Sequence, residues 1–231
     1  MPLTAFGRAL LATAQGRPQT VTLSWGGEAP VRHPCGDYLT LREEEALMLD
    51  GIALPPEAAV LDLGCGLGRH LQHLRRRHPG ARLFGVERCD GLRAHCEQTL
   101  PGPAHFFASE DALPRGQRYD LILLLGNGLG LFGAEADAHA GLARLLDALA
   151  PGGCVLLETG QQPGCGYRAS AVEITWRGHR DGPFTWGGGT RAWVRDTLQA
   201  LGACCELQPS WAPGGLFFLA RVWRSPQVAG A

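Results

Sequence analysis

The run Val60-Leu61-Asp62-Leu63-Gly64-Cys65-Gly66-Leu67-Gly68-Arg69-His70 constrains this chain more than any other. A short apolar stretch leads into an acid and then into three glycines spaced two apart. An arginine-rich, helix-compatible segment follows. That order predicts a buried parallel strand, a tight turn and a helix N-terminus. Glycine at such a turn lets a ligand approach the backbone with no Cβ in the way. A dinucleotide fingerprint would require Gly-x-Gly-x-x-Gly. It fails in both registers, because the third glycine would fall on Arg69 or on Leu71. Asp62 would repel a phosphate but could accept a hydrogen bond from an ammonium group. The turn therefore suits a cationic, phosphate-free nucleoside better than NAD.

The flanking sequence alternates between the two periodicities. Strands are expected at 59–63, 82–87, 104–108, 119–125 and 154–158, with helices at 68–77, 91–99 and 134–149 between them. This rhythm predicts a doubly wound, mostly parallel sheet. Before it, 3–13 reads as a helix, and 20–25 with 29–33 as a hairpin around Gly26-Gly27. Thr40 with Glu43 reads as a capping box for a helix through Asp50. Pro151-Gly152-Gly153 is expected to stop the helix of 134–149. After it come a loop at 160–166, a strand at 172–176, a helix capped by Thr190, and two final strands around Pro213-Gly214-Gly215.

At 231 residues the chain is one domain, or one with a small cap. The net charge of −1 gives no field that would favour nucleic acid or an anionic membrane. All 21 basic residues are arginine and Asn127 is the only asparagine. That bias reflects codon usage before it reflects phosphate binding, so Arg75-Arg76-Arg77 reads as a solvated helix end. The eight cysteines lack C-x-x-C spacing, and no leader-like start precedes them. Reduced, mostly buried thiols and a cytoplasmic location are the expectation. No apolar run reaches the ~20 residues of a membrane span.

The glycine run resembles the first motif of class I S-adenosylmethionine-dependent methyltransferases, Asp/Glu-x-Gly-x-Gly-x-Gly, and fits it at every fixed position. The resemblance covers 59–159 well and the final hairpin loosely. It implies a seven-stranded, mostly parallel sheet with the last strand antiparallel, and S-adenosylmethionine as cofactor. Asp62, Gly64, Cys65, Gly66 and Gly68 would hold the methionine part. Glu87, at the end of the second strand, would receive the ribose hydroxyls, with Arg88 beside it. Asp111, within Glu110-Asp111-Ala112-Leu113-Pro114, would select adenine, with Glu110 as the competing acid and a helix cap as the plain structural use. Tyr38 would cover the cofactor.

The fourth strand ends in Gly126-Asn127-Gly128, where the sulfonium methyl and the acceptor should face. Asn127 fits a catalytic or pocket-lining role, although Gly-Asn-Gly is also ordinary turn chemistry. His139 on the next helix could serve as a general base or sit on a helix surface. Trp186 and Arg191 are candidates for the acceptor side, the latter as a bidentate carboxylate ligand. His70 and His73 stand one turn apart, but nothing in the sequence completes a zinc site, so no metal is expected. The segment after the fourth strand lacks the Asn/Asp-Pro-Pro-aromatic pattern of nucleic-acid amino-methylating enzymes.

Residues 1–52 are therefore expected to pack over the cofactor and acceptor site. Residues 53–231 would form the methyltransferase domain, with 160–190 an acceptor-side cap. The expected activity is methyl transfer to an O or N atom of a small molecule or peptide, similar to bacterial tailoring enzymes of natural-product pathways. Rival readings are an RNA or protein methyltransferase, a non-catalytic cofactor-binding module, and NAD-dependent oxidoreduction. The oligomeric state is not legible.

Overall fold

The structure, a computed structural model, describes residues 4–100, 102–160, 164, 166–209 and 217–224. Trp211 and the Pro213–Gly215 turn fall outside the described residues. Among the described residues eleven strands and six α-helices lie in chain order α1 (Ala5–Ala14), β1 (Thr20–Trp25), β2 (Val31–Pro34), α2 (Glu43–Asp50), β3 (Ala59–Leu63), α3 (Arg69–Arg77), β4 (Arg82–Val86), α4 (Asp90–Thr99), β5 (Ala104–Phe107), β6 (Tyr119–Leu124), α5 (Glu135–Asp147), β7 (Leu149–Gly160), β8 (Tyr167–Trp176), β9 (His179–Gly189), α6 (Arg191–Ala200), β10 (Ala203–Pro209) and β11 (Phe217–Arg224).

Seven strands make one sheet in the order β10-β11-β7-β6-β3-β4-β5. The pairs β3/β4, β4/β5, β3/β6 and β6/β7 are parallel, and β11 runs antiparallel to both its neighbours. Both faces are covered, so its inner strands are mostly apolar. Leu61, Ile122, Leu124 and Leu157 face α5 and α6. Val60, Leu121, Leu123 and Leu156 face α2, α3 and α4. This two-sided burial is why 119–125 shows no polar alternation.

A second sheet has the order β2-β1-β8-β9 and is antiparallel throughout. The N-terminal hairpin and the segment expected to be a cap are thus halves of one sheet, joined where Leu23 faces Ile174. With α1 it encloses a third cluster that holds Ala9, Leu10, Val21 and Val172 together with Leu67 of the glycine turn and Cys89 and Leu92 beyond β4. The small sheet therefore packs on the carboxyl edge of the large one, the edge where doubly wound folds bind ligands. Asp181 of β9 fastens the start of α1 by accepting from the N–H groups of Ala5 and Phe6 at 2.7 and 2.8 Å.

Two local expectations need correction. Helix α2 is capped by Arg42 and Glu45 rather than Thr40 and Glu43, with the Arg42 N–H donating to Glu45 Oε2 at 2.9 Å. Helix α5 ends at Asp147, and Pro151-Gly152-Gly153 lies inside β7, where the pairing with β6 shifts register. Gly152 adopts φ 79°, so the glycines absorb a bulge rather than stop a helix.

Candidate functional site

Gly64, Gly66 and Gly68 all lie in the left-handed region, at φ 73°, 56° and 74°. An L side chain there costs ~1–2 kcal/mol, which accounts for three glycines in five positions. Gly64 N–H and Cys65 N–H both donate to Val86 O, at 2.8 and 3.0 Å. Gly66 N–H donates to Glu87 Oε2 at 3.1 Å, and Cys89 N–H to Oε1 at 2.8 Å. The acid that ends β4 is thereby fixed against the turn that ends β3. Burial pushes the Glu87 carboxyl above the usual carboxylate range. A Cβ on Gly66 would meet nothing within 4 Å, so the turn presents an open cradle beside a held carboxylate. Those are the features a phosphate-free nucleoside with ribose hydroxyls requires. Cys65 contributes only backbone there. Its thiol is free, buried and hydrogen-bonded to that of Cys96, whose Sγ donates to Gly66 O at 3.3 Å. Arg88 is exposed beyond Glu87.

Asp62 is 1% exposed, and its Oδ2 lies 3.3 Å from His70 Nδ1. His70 Nε2 in turn lies 3.9 Å from Glu45 Oε1, and Arg69 Nη2 donates to the same oxygen at 2.7 Å. Arg69 Nη1 also donates to the carbonyls of Asp37 and Thr40 at 2.8 and 3.1 Å. The residue that breaks the dinucleotide fingerprint is therefore the strap that ties the N-terminal segment to α3. Neither Glu45 nor His70's carboxylate partners were legible in the sequence, because they meet only through tertiary packing. His73 bonds a different carboxylate, Asp50, at 2.8 Å. Tyr38 packs edge-on to Phe6 with ring centroids 5.1 Å apart, and burial pushes its hydroxyl up to about 12.

Glu110, Asp111 and Ala112 form a single 3-10 turn after β5. Asp111 is exposed, and Glu110 lies 3.7 Å from Arg144. Beyond β6, Gly126 and Asn127 are both left-handed, at φ 66° and 61°. Asn127 Oδ1 accepts from Gly160 N–H at 2.9 Å, which bridges the ends of β6 and β7. Glu158, 4% exposed on β7, accepts from Gly126 N–H at 2.7 Å and Asn127 N–H at 3.2 Å on one oxygen. Asn127 tolerates this conformation better than most residues, which explains the chain's lone asparagine structurally. Leu131 then folds back, with Cδ1 3.0 Å from where a Gly64 Cβ would lie, so the two loops touch. Leu131 is 42% exposed, and a chain rich in leucine gives no sign of that position.

Trp186 of β9 lies on this loop, its Nε1 1.9 Å from a Cβ built on Gly130. Tyr167 Oη donates to Gly133 O at 2.8 Å. The small sheet thus clamps the loop after β6, and Trp186 is half-buried in that clamp. Arg191 stacks over the Phe218 ring at 5.2 Å and has no carboxylate partner among the described residues. His139, on α5, stands edge-on to Trp193 with ring centroids 5.1 Å apart and makes no hydrogen bond among the described residues. The structure brings Gly64, Gly66, Gly68, Glu87, Gly126 and Asn127 to one edge and leaves His139 between α5 and α6.

The strand order, the open glycine turn and the acid beside it define a nucleoside-binding, methyltransferase-type α/β fold. A family model for a methyltransferase domain matches residues 60–153, from β3 into β7. Trans-aconitate 2-methyltransferase of Methylobacterium nodulans is 32% identical over 126 residues, 52% of this chain and 47% of that protein. A dTDP-3-amino-3,4,6-trideoxy-alpha-D-glucopyranose N,N-dimethyltransferase of Streptomyces venezuelae is 23% identical over 104 residues, 45% of this chain and 43% of that one. The chain spans about half the length of the curated relatives it matches. A SAM-dependent methyltransferase from Bacteroides fragilis, solved with S-adenosyl-L-homocysteine, shares the fold with a TM-score of 0.77 at 14% identity, over 96% of this chain and 95% of that one. Residues 60–153 thus match a methyltransferase-domain family, and the fold as a whole is that of S-adenosylmethionine-dependent methyltransferases. No helix among the described residues is long and apolar enough to cross a membrane.

Proposed function

We propose that this protein transfers a methyl group from S-adenosylmethionine to an O or N atom of a small-molecule acceptor. The observation that carries the reading is the open cradle at Gly66 with the Glu87 carboxylate fixed against it. Bound there, the cofactor supplies a sulfonium, already a good leaving group. The chain's own residues then have three tasks: to bind, to orient and to keep water out. Glu87 accepts from the ribose hydroxyls, with Arg88 at the rim. Asp111, with Glu110 and Ala112, meets adenine. Gly64 through Gly68 carry the methionine part, and Asp62 holds that turn from below through His70. Gly126 and Asn127 wall the reacting end, and Tyr38 covers it from the N-terminal segment.

The small sheet lies outside the matched stretch 60–153. Trp186 and Arg191 are proposed to face the acceptor, with Arg191 suited to a carboxylate. The matched relatives are named for trans-aconitate and for an amino sugar, both small molecules. The test is calorimetry with S-adenosylmethionine, S-adenosylhomocysteine and NADH, followed by measurement of S-adenosylhomocysteine formation with carboxylic acids and amino sugars as acceptors. Binding of the two adenosyl ligands, lost in Glu87→Ala, is expected. Binding of NADH alone overturns the reading.

A further inference from the structure

Arg69 stands where electrostatics alone would not place it. It is the first residue of α3, directly after Gly68, and the positive end of a helix dipole disfavours a cation there. No acid in the first turn of α3 offsets it. Its side chain is nevertheless only 13% exposed, and a buried charge is costly unless well paired. The pairing comes from the N-terminal segment. Arg69 Nη1 donates to the carbonyls of Asp37 and Thr40 at 2.8 and 3.1 Å, and Nη2 donates to Glu45 Oε1 at 2.7 Å. Glu45 is itself 1% exposed, and its second oxygen accepts from Arg42 N–H at 2.9 Å. Asp37 and Thr40 flank Tyr38, whose ring packs on Phe6 of α1. One guanidinium thus ties both ends of the stretch 37–45 to the residue that follows the glycine turn.

We infer that Arg69 is a positioning residue for the cofactor, which holds Tyr38 over the bound ligand and couples that cover to the glycine turn. This rests on the function proposed above, in which Gly64 to Gly68 carry the ligand and Tyr38 covers it. Gly68 is left-handed at φ 74°, and its backbone sets the direction in which Arg69 leaves the turn. A turn that shifts moves the fork, and a fork that moves gives up its three bonds together. Such charge-assisted bonds are roughly twice as strong as neutral ones. A lysine would keep the charge, but its compact ammonium lacks the planar fork that spans these acceptors. A cover that is open part of the time raises the apparent dissociation constant by the inverse of its closed fraction. Arg69 therefore acts on cofactor affinity through Tyr38, without touching the cofactor.

The experiment is a double-mutant cycle read by calorimetry with S-adenosylmethionine, on wild type, Arg69→Lys, Tyr38→Ala and the double variant. Arg69→Lys should weaken binding about tenfold, the scale of one charge-assisted hydrogen bond. Tyr38→Ala should weaken it to a similar extent. The double variant should then bind within about twofold of the weaker single variant, because the fork acts through the tyrosine. Losses that multiply overturn the inference, since a residue that merely stabilises α3 would leave the effect of Tyr38 intact. Unchanged affinity in Arg69→Lys overturns it as well. A wild type that does not bind S-adenosylmethionine overturns the proposed function instead. If Arg69→Lys does not fold, native-state hydrogen exchange of the wild type, with and without S-adenosylhomocysteine, takes its place. Protection gained together by the amides of 37–45 and of the glycine turn supports the coupling, and protection gained by the glycine turn alone overturns it.

Discussion

Two glycine-rich loops meet at the site, and their glycines are there for opposite reasons. In the turn after β3, Gly66 sits at φ 56° with nothing within 4 Å of its missing side chain. Its glycine serves backbone shape and leaves room for something outside the protein. In the loop after β6, Gly130 has no positive φ, but a Cβ would lie 1.9 Å from Trp186 Nε1. Its glycine leaves room for the protein itself. A motif reader sees the first kind, because a turn imposes a fixed spacing. The second kind depends on a tryptophan far along the chain and carries no local pattern.

That contrast can be broken by substitution. Gly66→Val should abolish detectable cofactor binding by calorimetry, a loss of ~100-fold or more, since a branched side chain would fill the cradle. Its stability should fall by only about 1–3 kcal/mol, the cost of a strained left-handed residue. Gly130→Ala should show the reverse pattern, with denaturant unfolding reporting a loss of about 1–3 kcal/mol from overpacking against the indole. Trp186→Ala should relieve most of that penalty in the double variant, because the two residues share one volume. Additive losses would mean that Trp186 is not what Gly130 accommodates.

A smaller effect is expected at Asn127, which belongs to both categories. Asn127→Gly keeps the left-handed turn and loses only the bond to Gly160, costing about 1 kcal/mol. Asn127→Ala adds backbone strain and should unfold more readily. Under the proposed function, either change should lower turnover more than cofactor affinity, and an equal fall in both would make Asn127 a cofactor wall only.

The smallest effect concerns pH. Burial opposes a charge on His70, but the nearby carboxylates of Asp62, which accepts from the ring, and Glu45 outweigh it and raise its pKa above the usual value. A histidine raised on folding contributes stability that is full below its unfolded pKa of about 6.5 and is lost as pH rises through the folded value. Melting temperatures of wild type should therefore fall on the alkaline side of neutrality. His70→Gln should flatten that limb, and an unchanged profile would remove His70 from the cause.

The large sheet was readable because burial on both faces writes unbroken apolar strands, and because capping residues such as Thr190 act locally, accepting from Trp193 N–H at 3.1 Å. The small sheet was half visible. Its hairpin has a Gly-Gly turn, but β9 runs through Gly187-Gly188-Gly189, which reads as loop. Those glycines are close-approach sites, with Tyr167 Oη 1.8 Å from a Cβ on Gly187. At the site, the turn and Glu87 were legible from spacing. Glu45, Glu158 and Leu131 were not, since each acquires its place from a residue on another element. The acid before the turn, Asp62, was visible in the sequence, but its contact with His70 was not, because it forms only through packing.

The small sheet also sets an order of assembly. Strands β1 and β2 lie near the chain's start, yet β1 pairs with β8, so Leu23 waits for Ile174. A two-stranded hairpin is marginal by itself, and pairing over so long a separation is slow. During synthesis the edge of β1 stays open to other chains until β8 exists. The large sheet is built largely from nearer neighbours and can form first. The cover over the carboxyl edge then closes last and, in native-state hydrogen exchange, should open first. A ligand held between the two sheets would act as a latch on that final step, raising the apparent stability of the cover by mass action before it takes part in any chemistry.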